Sequence, residues 1–111
     1  MTTSIKERQQ EVVDSFSELE DWEERYREII KLGRDLDDLP DELKTDKHKV
    51  KGCQSQVWLH AALDGGNVIF QADSDAMIVR GLIAMLLSVY SGATPSEILE
   101  NPPAFISEIK L

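Results

Sequence analysis

The chain has a single cysteine, Cys53, among 111 residues. One thiol excludes an intramolecular disulfide, and it excludes a zinc or iron–sulfur site built from this chain's cysteines alone. Whatever Cys53 does, it does alone or with a second molecule. Six glycines and four prolines are too few for a collagenous or low-complexity chain, and a hydrophobic share of 41% is too high for a disordered one. Basic residues are also scarce: 12 Lys and Arg stand against 21 Asp and Glu, a net charge of -9. Such a surface repels phosphate backbones and anionic lipid, so nucleic acid and membrane are both disfavoured as partners. The longest apolar run, Ala76 to Tyr90, is 15 residues and carries Arg80, too short and too polar to span a bilayer. The opening MTTSIKERQQEVVDS has no apolar stretch of the secretory kind, and a cytoplasmic location is expected.

What is present fits one domain with a thin core. Residues 1–35 read as two helices. Ser4 followed by Glu7 forms a capping box before Ile5, Val12, Val13, Phe16 and Leu19, and Asp21 with Glu24 repeats the signal. Trp22, Tyr26, Ile29 and Ile30 then give an apolar face expected to pack in the core, with Gly33 as the stop. Residues 34–52 form a polar connector, acidic at first with Leu36, Leu39 and Leu43 tacking it down. It then turns basic, with Lys44, Lys47, Lys49, Lys51 and His48.

From Cys53 onward the chain is apolar. Val57, Leu59, Ala61 and Leu63 alternate with Trp58, His60 and Ala62 as in a strand. Asp64-Gly65-Gly66-Asn67 is a hairpin turn, and Val68 to Ala72 returns as a second strand. Asp73-Ser74-Asp75 is expected to cap a buried helix from about Ala76 to Tyr90, stopped by Gly92. Thr94-Pro95-Ser96-Glu97 marks another helix start. Phe105, Ile106 and Ile109 begin a further helical face that the chain does not complete. The expected fold class is α+β, a small antiparallel sheet covered by helices.

Cys53 is the candidate nucleophile. Gly52 permits a tight turn beside it, and the neighbouring lysines favour the thiolate. Burial as an inert structural cysteine is the competing reading. A Cys-His hydrolase using His60 would require the chain to fold back, since seven residues of strand span about 23 Å. A paired-carboxylate role for Asp73 and Asp75 competes with helix capping, which explains them more simply. Phosphate-cradling glycine loops, nucleophile elbows and His-x-x-x-His pairs are missing from the sequence.

The string Val50 to Leu59, VKGCQSQVWL, taken with DSDAMIVRGL at 73–82 and WEERYREIIKLG at 22–33, closely resembles the SufE family of sulfur-acceptor proteins of iron–sulfur cluster assembly. The resemblance covers residues from about 10 to 110 and implies a single SufE-like domain over 1–111, with a fold similar to that of iron–sulfur scaffold proteins. It implies that Cys53 accepts persulfide sulfur from a pyridoxal-phosphate cysteine desulfurase, stimulates that enzyme, and passes the sulfur to a cluster scaffold. The chain itself would need no cofactor and no metal, acting as an accessory protein rather than a stand-alone enzyme. Gly52, Gln54, Gln56, Lys49, Lys51 and Asp75 fall at loop-shaping or partner-binding positions, Asp75 as a helix cap close to the loop. SufE-like chains usually continue further, with a helical segment that helps cover the cysteine loop. The expectation is therefore an uncovered apolar face at Phe105, Ile106, Ile109 and Leu111, leading to a homodimer or a frayed end. The alternatives are a Cys-dependent hydrolase, a cluster scaffold, which would need several cysteines, and a non-catalytic interaction module.

Overall fold

Ser4 opens the first helix, α1 (Ile5–Ser17), its hydroxyl accepting the Glu7 N–H at 3.2 Å. Asp21 opens the second, α2 (Trp22–Asp35), accepting the Glu24 N–H at 2.8 Å. Each side chain satisfies a donor that the first helical turn leaves without a partner. The computed structural model describes residues 4–52 and 54–108. After α2 the connector makes one 3-10 turn (Asp41–Leu43). The strands β1 (Val57–Asp64) and β2 (Asn67–Ser74) pair antiparallel, with Asp64 opposite Asn67. Gly65 at φ 60° and Gly66 at φ 87° supply the left-handed pair that a two-residue hairpin turn requires. Three helices follow: α3 (Met77–Tyr90), α4 (Pro95–Glu100) and α5 (Phe105–Glu108). This is an α+β fold.

The long apolar helix α3 packs against α2 on one flank and β2 on the other. Its outer end stops at Gly92, φ 90°, as the sequence indicates. Two core clusters meet along it. Ile5, Val89, Tyr90, Ala93 and Phe105 form one, Phe16, Ile29 and Met85 the other, and Val12 and Val13 touch both. Arg8 on α1 donates to the carbonyls of Val89 and Ser91 at 3.1 and 3.2 Å, where α3 leaves its last acceptors without helical partners.

The sequence reading is corrected at several points. Gly33 does not stop α2, which runs on to Asp35. It lets two helices touch: a Cβ there would lie 2.7 Å from the Met77 carbonyl oxygen, and one on Gly81 would lie 2.1 Å from that of Ile29. Trp22 and Tyr26, expected in the core, are 60% and 46% exposed. The inward stripe of α2 runs through Arg25, Ile29, Leu32 and Gly33 instead, and its first turn stands out from the packed surface. Phe105 is buried on Ile5 and Val89 rather than left uncovered. Ile106 is half-buried, while Ile109 and Leu111 lie outside the described residues. Apolar surface does remain open elsewhere. A cleft of 390 Å³ separates the sheet from α3, lined by residues that include Val50, Val57, Leu59, Phe70, Leu86 and Pro103.

Candidate functional site

The connector returns to the sheet just before the cysteine loop. Val50 donates its N–H to the Val57 carbonyl and Leu59 donates to that of His48, both at 2.8 Å, with Lys49 opposite Trp58. These bonds close a loop over residues 51–56. Cys53 itself lies outside the described residues. Its neighbour Gly52 has φ 87°, and a Cβ there would meet nothing within 4 Å. Glycine is thus needed for backbone conformation and not for space. Lys49, Lys51, Gln54 and Gln56 are all exposed.

The far limb of the loop is gripped by the end of β2. Gln56 donates its N–H to Asp75 Oδ1 at 3.0 Å, and the Asp75 N–H returns to the Gln56 carbonyl at 3.2 Å. Ser74 Oγ donates to the same carbonyl at 2.7 Å and accepts the Ala76 N–H at 3.2 Å. Asp75 therefore is not the cap of α3. The N-cap is Ala76, which makes no side-chain cap bond. The strand continues through Ser74, which turns the Asp75 carboxylate onto the loop instead.

Beneath this grip sits Asp73, 1% exposed. Its carboxylate accepts the Leu39 N–H at 3.1 Å and the Ser74 N–H at 2.7 Å, forms an ion pair with Arg80, and has Lys44 Nζ at 3.4 Å. Burial alone pushes this carboxyl up. The two N–H donors and the charges of Arg80 and Lys44 outweigh that and hold it below the ordinary carboxylate range. Arg80 also donates to the carbonyls of Gly33 at 3.0 Å and Leu36 at 2.6 Å. One buried pair thus ties α2, the connector, β2 and α3 together under the loop. The sequence reading offered Asp73 only as a cap or a paired carboxylate. A usable signal was nevertheless there, since an arginine inside an apolar helix needs a buried anion.

Of the basic cluster, Lys47, Lys49 and Lys51 are exposed. Lys44 is turned inward to Asp73, with its ammonium 5.8 Å from the Trp58 ring centre. His60 meets His48, Nδ1 to Nε2 at 3.2 Å, and Thr45 Oγ1 lies 3.1 Å from His48 Nδ1. One nitrogen of His60 is thus engaged by a second imidazole. Among the described residues no group of three or more His, Cys, Asp or Glu could hold a metal ion, and no helix is long and apolar enough to cross a membrane.

Comparison with known proteins bears on the same segments. An uncharacterized SufE-like protein of Rhizobium etli is 51% identical over 92 residues, which cover 79% of this chain and 62% of the relative. A second, of Rhizobium meliloti, is 46% identical over 92 residues, covering 79% and 66%. The sulfur acceptor protein CsdE of Escherichia coli is 40% identical over 100 residues, covering 88% and 68%. The chain therefore spans less than two thirds of the length of the two Rhizobium relatives. A solution structure of a hypothetical protein from Thermus thermophilus has the same fold, with a TM-score of 0.71 at 22% identity over 90% of this chain and 73% of its own. The SufE family model, the Fe-S metabolism associated domain, matches residues 10–111, and so takes in the loop, the grip of Ser74 and Asp75 and the buried pair beneath them. The chain belongs to the SufE family.

Proposed function

We propose that this protein is a sulfur acceptor whose working atom is the Cys53 sulfur. It would receive sulfur from a pyridoxal-phosphate cysteine desulfurase and deliver it to an iron–sulfur cluster scaffold in the cytoplasm. The observation that carries the reading is the loop over 51–56, which holds the chain's only cysteine and is fastened at its base on both limbs while Lys51, Gln54 and Gln56 stay exposed. The kinship with CsdE, named a sulfur acceptor, supports the same chemistry.

The transfer is a thiol exchange. The Cys53 thiolate attacks the terminal sulfur of the donor's persulfide, a new S–S bond forms on Cys53, the donor's S–S bond breaks, and the donor leaves as a thiolate. The transferred sulfur keeps its oxidation level, so no outside oxidant or reductant enters. Lys49 and Lys51 favour the attacking thiolate by their positive field. Gln54 and Gln56 present exposed amides to the donor, and the grip on the Gln56 backbone limits how far the loop can shift during the exchange.

The test is the intact mass of the protein after incubation with a cysteine desulfurase, its pyridoxal phosphate and cysteine. A gain of one reductant-labile sulfur, absent from Cys53→Ser, is expected. Labile sulfur on the serine variant, or none on the parent protein with an active desulfurase, overturns the reading.

A further inference from the structure

The chain has two histidines, and the fold brings them together. His48 lies on the connector and His60 on β1. The main chain fixes both positions, since the His48 carbonyl accepts the Leu59 N–H at 2.8 Å and Lys49 bridges Trp58. The rings meet edge to face at an interplanar angle of 74°, with His48 Nε2 3.2 Å from His60 Nδ1 and the ring centres 5.0 Å apart. A straight N–H···N bond of that length would leave the centres farther apart, so the rings are tilted off the line between the two nitrogens. Two imidazoles on one tetrahedral ion, each nitrogen about 2.0–2.1 Å from it, have those nitrogens about 3.3 Å apart and their ring centres about 5 Å apart. Both spacings are already present. Thr45 adds a third feature, its Oγ1 3.1 Å from His48 Nδ1. By accepting the Nδ1 proton this hydroxyl leaves the lone pair on Nε2, the outer arrangement that orients a metal-binding imidazole. Both histidines are only half-buried, so water reaches the pair.

We propose that His48 and His60 form a two-imidazole seat for a divalent transition-metal ion of the copper, nickel or zinc kind, bridging the connector to β1. Imidazole nitrogen is a donor that these ions favour. Among the described residues no third His, Cys, Asp or Glu joins the pair, so water fills the remaining positions and binding is weaker than in a closed four-ligand site. Without the ion, His60 Nδ1–H donates to His48 Nε2. When the ion enters, it takes the lone pairs of those two nitrogens and the proton of His60 moves from Nδ1 to Nε2. No net proton is released, and one hydrogen bond is exchanged for two coordinate bonds. Lys44, which lies over the neighbouring Trp58 ring, is already paired with Asp73 and so opposes the ion little. The ion fastens the near limb of the 51–56 loop to the sheet, as Ser74 and Asp75 fasten the far one. The proposal is independent of sulfur transfer.

The test uses Cys53→Ser, which removes the one thiol that would compete for the ion, with copper(II) or zinc(II) chloride as the probe. Copper should bind at one per chain and show, in electron paramagnetic resonance, coupling to two imidazole nitrogens. His48→Gln and His60→Gln, each added to Cys53→Ser, should weaken binding about tenfold or more. Both should also lose the rise in melting temperature that the ion gives Cys53→Ser alone. A nitrogen-15 spectrum of the imidazoles needs no further substitution. As zinc is added, the signals of His48 Nε2 and His60 Nδ1 should move together along one binding curve. No binding at about 1 mM ion, movement of one ring alone, or binding that both glutamine variants keep overturns the proposal. So does uptake of several ions by the acidic surface with neither ring shifted.

Discussion

At the scale of single residues the structure turns on Asp73. Its ion pair with Arg80 is almost wholly out of water, and breaking such a pair from one side leaves a buried charge behind. Asp73→Asn should cost about 3 kcal/mol at neutral pH, read from urea unfolding. The pH dependence has a definite sign. The folded carboxyl lies below its ordinary value, so its contribution is complete above the unfolded value of about 4 and is lost as pH falls through the folded one. The parent's advantage over Asp73→Asn should therefore shrink in acid, and a constant gap down to strongly acidic pH would contradict this account. Little of the arrangement could be read from sequence, because Leu39 lies 34 residues from Asp73 and only the folded chain joins them. The caps at Ser4, Asp21 and Thr94 were legible for the opposite reason: each bonds an N–H three residues on. Asp75 misled because an acid ahead of an apolar run resembles a cap, whereas its real partner, Gln56, is 19 residues away.

At the scale of elements the contact between α2 and α3 decides the packing. Glycine inside a helix ordinarily costs up to about 1 kcal/mol relative to alanine. At Gly81 that preference is overridden, since a methyl group would fall 2.1 Å from the Ile29 carbonyl oxygen and force the helices apart. Gly81→Ala should destabilise the protein by roughly 2 kcal/mol or more despite its better helix propensity. Stabilisation in thermal unfolding would mean that the helices can separate at little expense. From sequence alone, Gly33 reads as a stop and Gly81 is silent, because closeness between helices leaves no local trace. The hairpin was different. Asp64-Gly65-Gly66-Asn67 carries its turn in its own backbone preferences, and the strands on either side fell where the alternation placed them.

At the scale of the molecule the charge is lopsided, with a net -9 and the exposed Lys47, Lys49 and Lys51 shortly ahead of the one cysteine in the sequence. The structure removes Lys44 from this group by turning it toward Asp73. A partner with an acidic rim would be steered to the loop by the remaining three. Lys47→Glu with Lys49→Glu should slow association with the proposed desulfurase partner at low ionic strength, and the difference should fade as salt screens it. Stopped-flow rates that are equal at low salt would make these lysines an ordinary solvated run.

The open cleft beside α3 alters how the protein would be diagnosed in solution. Its walls are apolar and the one tyrosine hydroxyl among them is occupied, donating to the Asn101 carbonyl at 2.7 Å. A fluorescent dye such as ANS, whose brightening is commonly taken to mark a loosened, molten state, has a seat of 390 Å³ in the fully folded molecule. Native protein should therefore light the dye while its near-ultraviolet circular dichroism stays fully ordered, and Leu59→Glu should dim the one without altering the other. For this fold, dye fluorescence reports the architecture of the native state rather than its loss.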